Sequence, residues 1–184
     1  MTPAYAYAGI GSRRTKEPIL NAMEAAGQAL ASLGLTLRSG AAYGADTAFE
    51  RGCDNAHGPK EIYIPWEGFN KRYTNEWGVI GHEITHYHTA RNLAAEHHPT
   101  WNKLSLGIRP LMIRNSYQIM GRDMQSPCLF VLCSTPGSQG QGGTGQAIRI
   151  AQAHNIPVFD MGNLKPISEN SRPKTTLYSN SEFP

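Results

Sequence analysis

Short apolar runs alternate with helical-period segments along most of this chain. The opening "AYAYAGIGSRR" predicts a brief buried strand that breaks at Gly9 and Gly11. Pro18 then begins a stretch with apolar residues at Ile19, Met23, Ala26, Leu30 and Leu33, which is helical spacing, stopped by Gly34. "LTLRSG" predicts a second strand ending at Gly40. "YGADTAFERGCDNA" predicts a second helix with Ala45, Ala48, Phe49 and Cys53 on one face. "EIYIPW" predicts a third strand, closed by Pro65. From about residue 67 to 107 no strand period is visible, and this stretch holds five of the seven histidines and two of the three tryptophans. Helical spacing resumes in "RPLMIRNSYQIMG", with Leu111, Asn115, Gln118 and Ile119 on neighbouring faces. "PCLFVLCS" predicts a deeply buried strand, "GGTGQAIRIAQAHN" a glycine-dense turn entering a helix, and "IPVFDMG" a fifth strand. The polar tail "KPISENSRPKTTLYSNSEFP" predicts a surface wrap or a partly disordered segment.

Strands that alternate with helices predict an α/β fold whose mainly parallel sheet is covered on both faces. In such sheets ligands bind beyond the carboxyl ends of the strands. Three glycine-bearing turns fall there: "GIGSR", "RSGAAYGAD" and "GGTGQA". Glycine lets backbone approach a ligand closely, and a following helix directs free N–H groups and its positive dipole end at the same space. Gly142, Gly143, Thr144 and Gly145 form one such cradle for phosphate. Gly11, Ser12 and Arg13 form another, in which the guanidinium can fork onto an anion. The plainer alternative is that these glycines only make tight turns.

The 184 residues suit one domain, and 40% hydrophobic with 17% charged residues is the composition of a soluble globular protein. The formal charge of +3 is too small to imply a nucleic-acid stripe but suits an anionic small ligand. Cys53, Cys128 and Cys133 lack metal-ligand spacing and read as core thiols of a reducing compartment. No membrane span or signal peptide is expected, so the cytoplasm is the expected location.

In their order, "GIGSR", "SGAAYGAD", "RN" and "GGTG" resemble the motifs of the SLOG superfamily, which includes the DprA/Smf DNA-processing proteins and the Lonely Guy phosphoribohydrolases. The likeness covers most of residues 5 to 160 and is closest to bacterial and phage SLOG proteins without assigned activity. It implies a Rossmann-like, doubly wound nucleotide-binding domain over residues 1–164, with an insertion at about 67–107 and a tail at 165–184. It also implies a dimer or larger homo-oligomer. The DprA pattern falls on Ser39, Gly40, Ala42, Gly44, Asp46, Arg114 and Asn115, and implies single-stranded DNA as a partner. The Lonely Guy pattern falls on Gly142, Gly143 and Gly145 and on Arg114. It puts Gln146 where that family has threonine, and Arg149 where it has the glutamate that helps cleave an N-glycosidic bond. A guanidinium would repel the cationic sugar formed in that cleavage. Arg149 either reaches the pocket, favouring a more anionic ligand, or lies on the solvent side of its helix.

Asp46 is the acid expected to face the pocket, binding ribose hydroxyls or acting as a base, unless it merely caps its helix. Glu50, one turn on, is expected to be solvated. "HEITH", His82 to His86, matches a zinc-protease pattern, but without a suitably spaced third ligand no metal is expected, and no cofactor is implied. Trp66, Trp77 and Trp101 offer a stacking surface or core, with core favoured for Trp101. Three functions follow as expectations: binding of a phosphate-bearing nucleotide or nucleotide-derived signal, hydrolysis of a nucleotide N-glycosidic or phosphate bond with Asp46 as the catalytic acid–base, or DprA-like binding of single-stranded DNA.

Overall fold

The computed structural model describes residues 5–81, 86–135, 142–163 and 165–166. The elements run β1 (Ala6–Gly9), α1 (Glu17–Ser32), β2 (Thr36–Ser39), α2 (Ala45–Asn55), β3 (Lys60–Tyr63), β4 (Val79–Ile80), α3 (Tyr87–Glu96), α4 (Arg109–Met120), β5 (Val131–Cys133), α5 (Gly142–Ala153), β6 (Val158–Asp160) and β7 (Lys165–Pro166), with 3-10 turns at Phe69–Lys71 and Trp101–Lys103. The sheet order is β4-β3-β2-β1-β5-β6-β7. The first six strands are parallel, and β7 pairs antiparallel to β6. This is a Rossmann-like α/β fold: its parallel sheet is what the alternation of patterns predicts, and its Rossmann-like arrangement is what the resemblance implies.

Period-two alternation explains how helices cover both faces. Tyr7 and Ile62 point to the side packed by α1 and α2 with Met23, Leu37 and Phe49. Their neighbours Ala8 and Tyr63 point to the other side, against α4 and α5, with Ile113, Ile148 and Ile150. Because each face is buried, the strands read as continuous apolar runs. Burial of Cys53, Cys128 and Cys133 as free thiols agrees with their expected core role. It pushes the Cys128 and Cys133 thiols up to about 12.

The region from 67 to 107 is more ordered than its pattern suggests. It supplies β4, whose two residues are too few to show a period, and α3, whose Ala90 and Ala94 are fully buried. Trp101 is core, with the Arg109 guanidinium 5.4 Å from its ring centre, whereas Trp66 and Trp77 are exposed. Leu33, grouped above with the buried helical positions, is instead the exposed C-cap of α1, because the helix ends one residue earlier. The sheet also extends into the tail, since Lys165 and Pro166 pair with β6. Of "HEITH", residues 82–85 lie outside the described residues, as does the tail beyond Pro166. Among the described residues no helix is long and apolar enough to cross a membrane.

Candidate functional site

A cleft of about 500 Å³ opens over the carboxyl ends of β1 and β5. That place follows from connectivity: β1 leads to β2 on one side, while the chain returns from β4 to β5 on the other. The two crossovers diverge there and leave a crevice. One side of the cleft is the loop Ile10–Arg14 after β1, and another is Ala42 and Asp46 from the β2–α2 turn. Thr135 follows β5, and Gly142, Gly143 and Thr144 begin α5. The remaining wall is α4, through Leu111, Met112, Arg114, Asn115 and Gln118, and Phe69 stands over Arg114.

Asp46 and Arg114 form the polar centre. Asp46 is buried in the first turn of α2, and its Oδ2 accepts the backbone N–H groups of Gly40 at 3.1 Å and Ala42 at 3.4 Å. Arg114 Nη1 lies 3.8 Å from the same oxygen and donates to the Gly40 carbonyl. The Phe69 ring covers the guanidinium at 5.9 Å. Burial pushes the Asp46 carboxyl up to about 6. Arg114 and the amides of Ala42, Gly40 and Gly11 resist that rise. The carboxyl therefore changes charge within a physiological range. A Cβ at Gly40 would run into the Arg114 guanidinium, so the missing side chain lets that guanidinium lie against the turn.

At the far side of the cleft, Asn115 holds the start of α5. Its Nδ2 donates to the Gly143 carbonyl at 3.0 Å and to Gln146 Oε1 at 2.9 Å. Gln146, fully buried, donates in turn to the Ala94 carbonyl of α3 at 3.1 Å. Three helices are thus tied around the glycine turn. The position where the Lonely Guy pattern has threonine is a structural bridge here. Gly142 has φ 63°, and among the described residues nothing lies within 4 Å of a Cβ placed there. The N–H groups of the first turn of a helix have no partner within it.

Of the residues singled out from sequence, Gly11, Ser12, Arg13, Asp46, Arg114, Asn115, Gly142, Gly143 and Thr144 line this cleft. Gly145 is buried in α5 behind it. Gly44 is the N-cap of α2, where an added Cβ would meet the Ser12 and Arg13 backbone. Ser39 is fully buried, and its hydroxyl donates to Glu50 Oε1 at 2.7 Å. Glu50 corrects the expectation of a solvated acid. It is 3% exposed, with Arg72 Nη1 3.1 Å from its other oxygen. Burial raises its carboxyl to about 7 against the Ser39 hydroxyl and Arg72. Arg149 takes neither course foreseen for it. It is half-buried outside the cleft, and its Nε donates to the His97 carbonyl at the end of α3, 2.8 Å away. Thr135, Gln118, Arg14 and Phe69 join the site without having been singled out for it. Only the helical phase of Gln118, one turn past Arg114, offered a signal.

No protein-family model matches the chain, and no curated protein sequence matches it significantly. Solved structures do share its backbone. DNA processing protein A from Helicobacter pylori, in a structure that concerns that protein's single-stranded DNA binding mode, superposes with a TM-score of 0.58 and 17% identity. The match covers 87% of this chain and 70% of that one. DNA processing protein A from Streptococcus pneumoniae gives a TM-score of 0.55 at 18% identity, over 85% of this chain and 49% of that one. The chain therefore spans about half the length of the pneumococcal protein. Likeness at this level of identity is likeness of fold.

Proposed function

We propose that this is a SLOG-type domain, over residues 1–164, whose cleft binds a phosphate-bearing nucleotide or a nucleotide-derived signal. The observation that carries this reading is the meeting of two cradles in one cleft. Gly11–Arg13 after β1 and Gly142–Thr144 at the start of α5 face the same space, with Arg114 in its wall. A phosphate between them takes amide hydrogens from the start of α5, the Thr144 hydroxyl and the exposed Arg13 guanidinium. The apolar side chains of Leu111, Met112 and Phe69 supply contact area for the rest of the ligand, and the volume is that of a small-molecule site.

Thermal unfolding with mononucleotides, dinucleotides and cyclic nucleotides tests the reading. A ligand at a hundred times its Kd adds about 2.7 kcal/mol of stability. Arg13→Ala removes a charge-assisted bond of about 1.5–3 kcal/mol, so affinity should drop at least tenfold. If no phosphorylated compound shifts unfolding, the reading is wrong.

The shared fold with DNA processing protein A supports a second reading, binding of single-stranded DNA. A band shift with oligonucleotides checks it, and affinity should fall steeply with salt. A hydrolase reading rests on Asp46, whose carboxyl at about 6 suits proton transfer near neutral pH. Release of free base or phosphate from a nucleotide panel, abolished in Asp46→Asn, is its signature.

A further inference from the structure

The 3-10 turn Phe69–Lys71 borders the cleft on a strained backbone. Gly68, which enters it, has φ 79°, and two residues other than glycine follow in the left-handed region, Asn70 at φ 49° and Lys71 at φ 63°. Side chains seldom adopt that region, and proteins keep such residues where other contacts hold them, often at ligand clamps and switches. Burial does not hold this turn, because none of its three residues is buried. Two polar contacts tie it to the body of the domain. Asn70 Nδ2 donates to the Ala41 carbonyl at 2.8 Å, and Arg72 Nη1 lies 3.1 Å from Glu50 Oε2. Among the described residues, the other hydrogen bonds and ion pairs of residues 68–72 run within residues 66–76.

What those two contacts hold in place is Phe69. Its ring centre is 5.9 Å from the Arg114 guanidinium, and both side chains line the same cleft. Arg114 keeps only 10% of its side chain exposed there. A ring face is a weak partner for a guanidinium beside a phosphate or sulfate, whose oxygens it can fork onto. An anion in the cleft therefore competes with the ring for Arg114. Gly68 supplies the pivot, since a residue without a Cβ passes between backbone regions freely and hinges need only a few such positions.

We infer that residues 68–72 are a gate on the cleft: latched through Asn70 and Arg72 they keep Phe69 against Arg114, and released about Gly68 they yield that guanidinium to the ligand's anionic group. Phe69 then packs on the ligand, in keeping with its place in the lining. The inference rests on the nucleotide reading above and adds regulation of the same cleft. A gate lowers apparent affinity by the fraction of molecules that are open, so weakening the latch tightens binding. A turn that merely propped up the wall would show the opposite sign.

Calorimetric titration of the full chain with sulfate tests it, because sulfate has no apolar part that depends on Phe69. With about a tenth of the molecules open, Phe69→Ala, Asn70→Gly and Arg72→Ala should each bind sulfate about three- to tenfold tighter than wild type. The gain is expected in Arg72→Ala although that change removes a cation, and adding Arg114→Gln to Phe69→Ala should cancel it. Trp66 stands before the pivot with its ring 5.1 Å from Phe69, so sulfate should change the tryptophan emission, and Trp66→Phe should remove that change. Far-ultraviolet circular dichroism identifies variants that fail to fold, and if none of the three folds the emission change decides alone. Folded variants that bind sulfate no tighter than wild type overturn the gate, as does a gain that survives Arg114→Gln or a silent Trp66. Binding of a nucleotide by the wild type then keeps the nucleotide reading standing. If neither wild type nor variants bind sulfate or any nucleotide, both fall together.

Discussion

Glu50 offers a direct measure of how the buried charges behind the cleft are balanced. It sits one helical turn past Asp46, with Ser39 donating to one oxygen and Arg72 near the other. Burial raises its carboxyl from the ordinary 4.5 to about 7, and the neighbouring Asp46 adds to that effect. A carboxyl with a raised folded-state pKa holds its proton more tightly when folded. Its contribution is fully present below the unfolded pKa and is lost as pH climbs through the folded one. At about 1.36 kcal/mol per unit, ionising Glu50 costs the folded state about 3 kcal/mol by pH 8 but less than about 1 kcal/mol at pH 5. Glu50→Gln removes the ionisation and keeps an oxygen to accept from Ser39. Relative to wild type, the variant should gain roughly 2–3 kcal/mol between pH 5 and pH 8. Urea unfolding of both proteins at unit steps of pH measures this. A stability difference that does not change with pH would refute the burial and electrostatics assigned to this residue.

Four further outcomes test the site. Sulfate, which does not titrate here, should bind more weakly as pH rises through about 6, because Asp46 gains its charge in the cleft wall. The loss should be roughly fivefold by calorimetry and absent in Asp46→Asn, since one partly screened repulsion is worth about 1 kcal/mol. Gly40→Ala should cost about 2–3 kcal/mol in urea unfolding and weaken sulfate binding, because the new methyl displaces the Arg114 guanidinium. Asn115→Ala removes the donor shared by the Gly143 carbonyl and the buried Gln146 Oε1, so a loss of about 2 kcal/mol is expected, with weaker sulfate binding as the start of α5 loosens. Arg149→Ala should cost about 1 kcal/mol and leave sulfate affinity within twofold of wild type; a tenfold loss would place this side chain in the cleft after all.

The sequence by itself determined the parts that depend on neighbours along the chain. The five longer apolar runs became β1, β2, β3, β5 and β6 and the periodic segments became α1, α2, α4 and α5, because period and turn residues act over a few positions. The same alternation put the glycine turns on one edge of the sheet, since parallel strands bring every strand-to-helix loop to one side. Only the tertiary structure decided which side chains meet there. Glu50 looked like a solvated helix residue until Ser39 and Arg72, from other elements, enclosed it. Arg149 found a carbonyl 52 residues earlier in the chain, and Asp46 and Arg114 meet across 68 positions. Such pairings are set by how α3, α4 and α5 lie across the sheet, and a periodic pattern fixes the face a residue occupies without naming the partner that face will find.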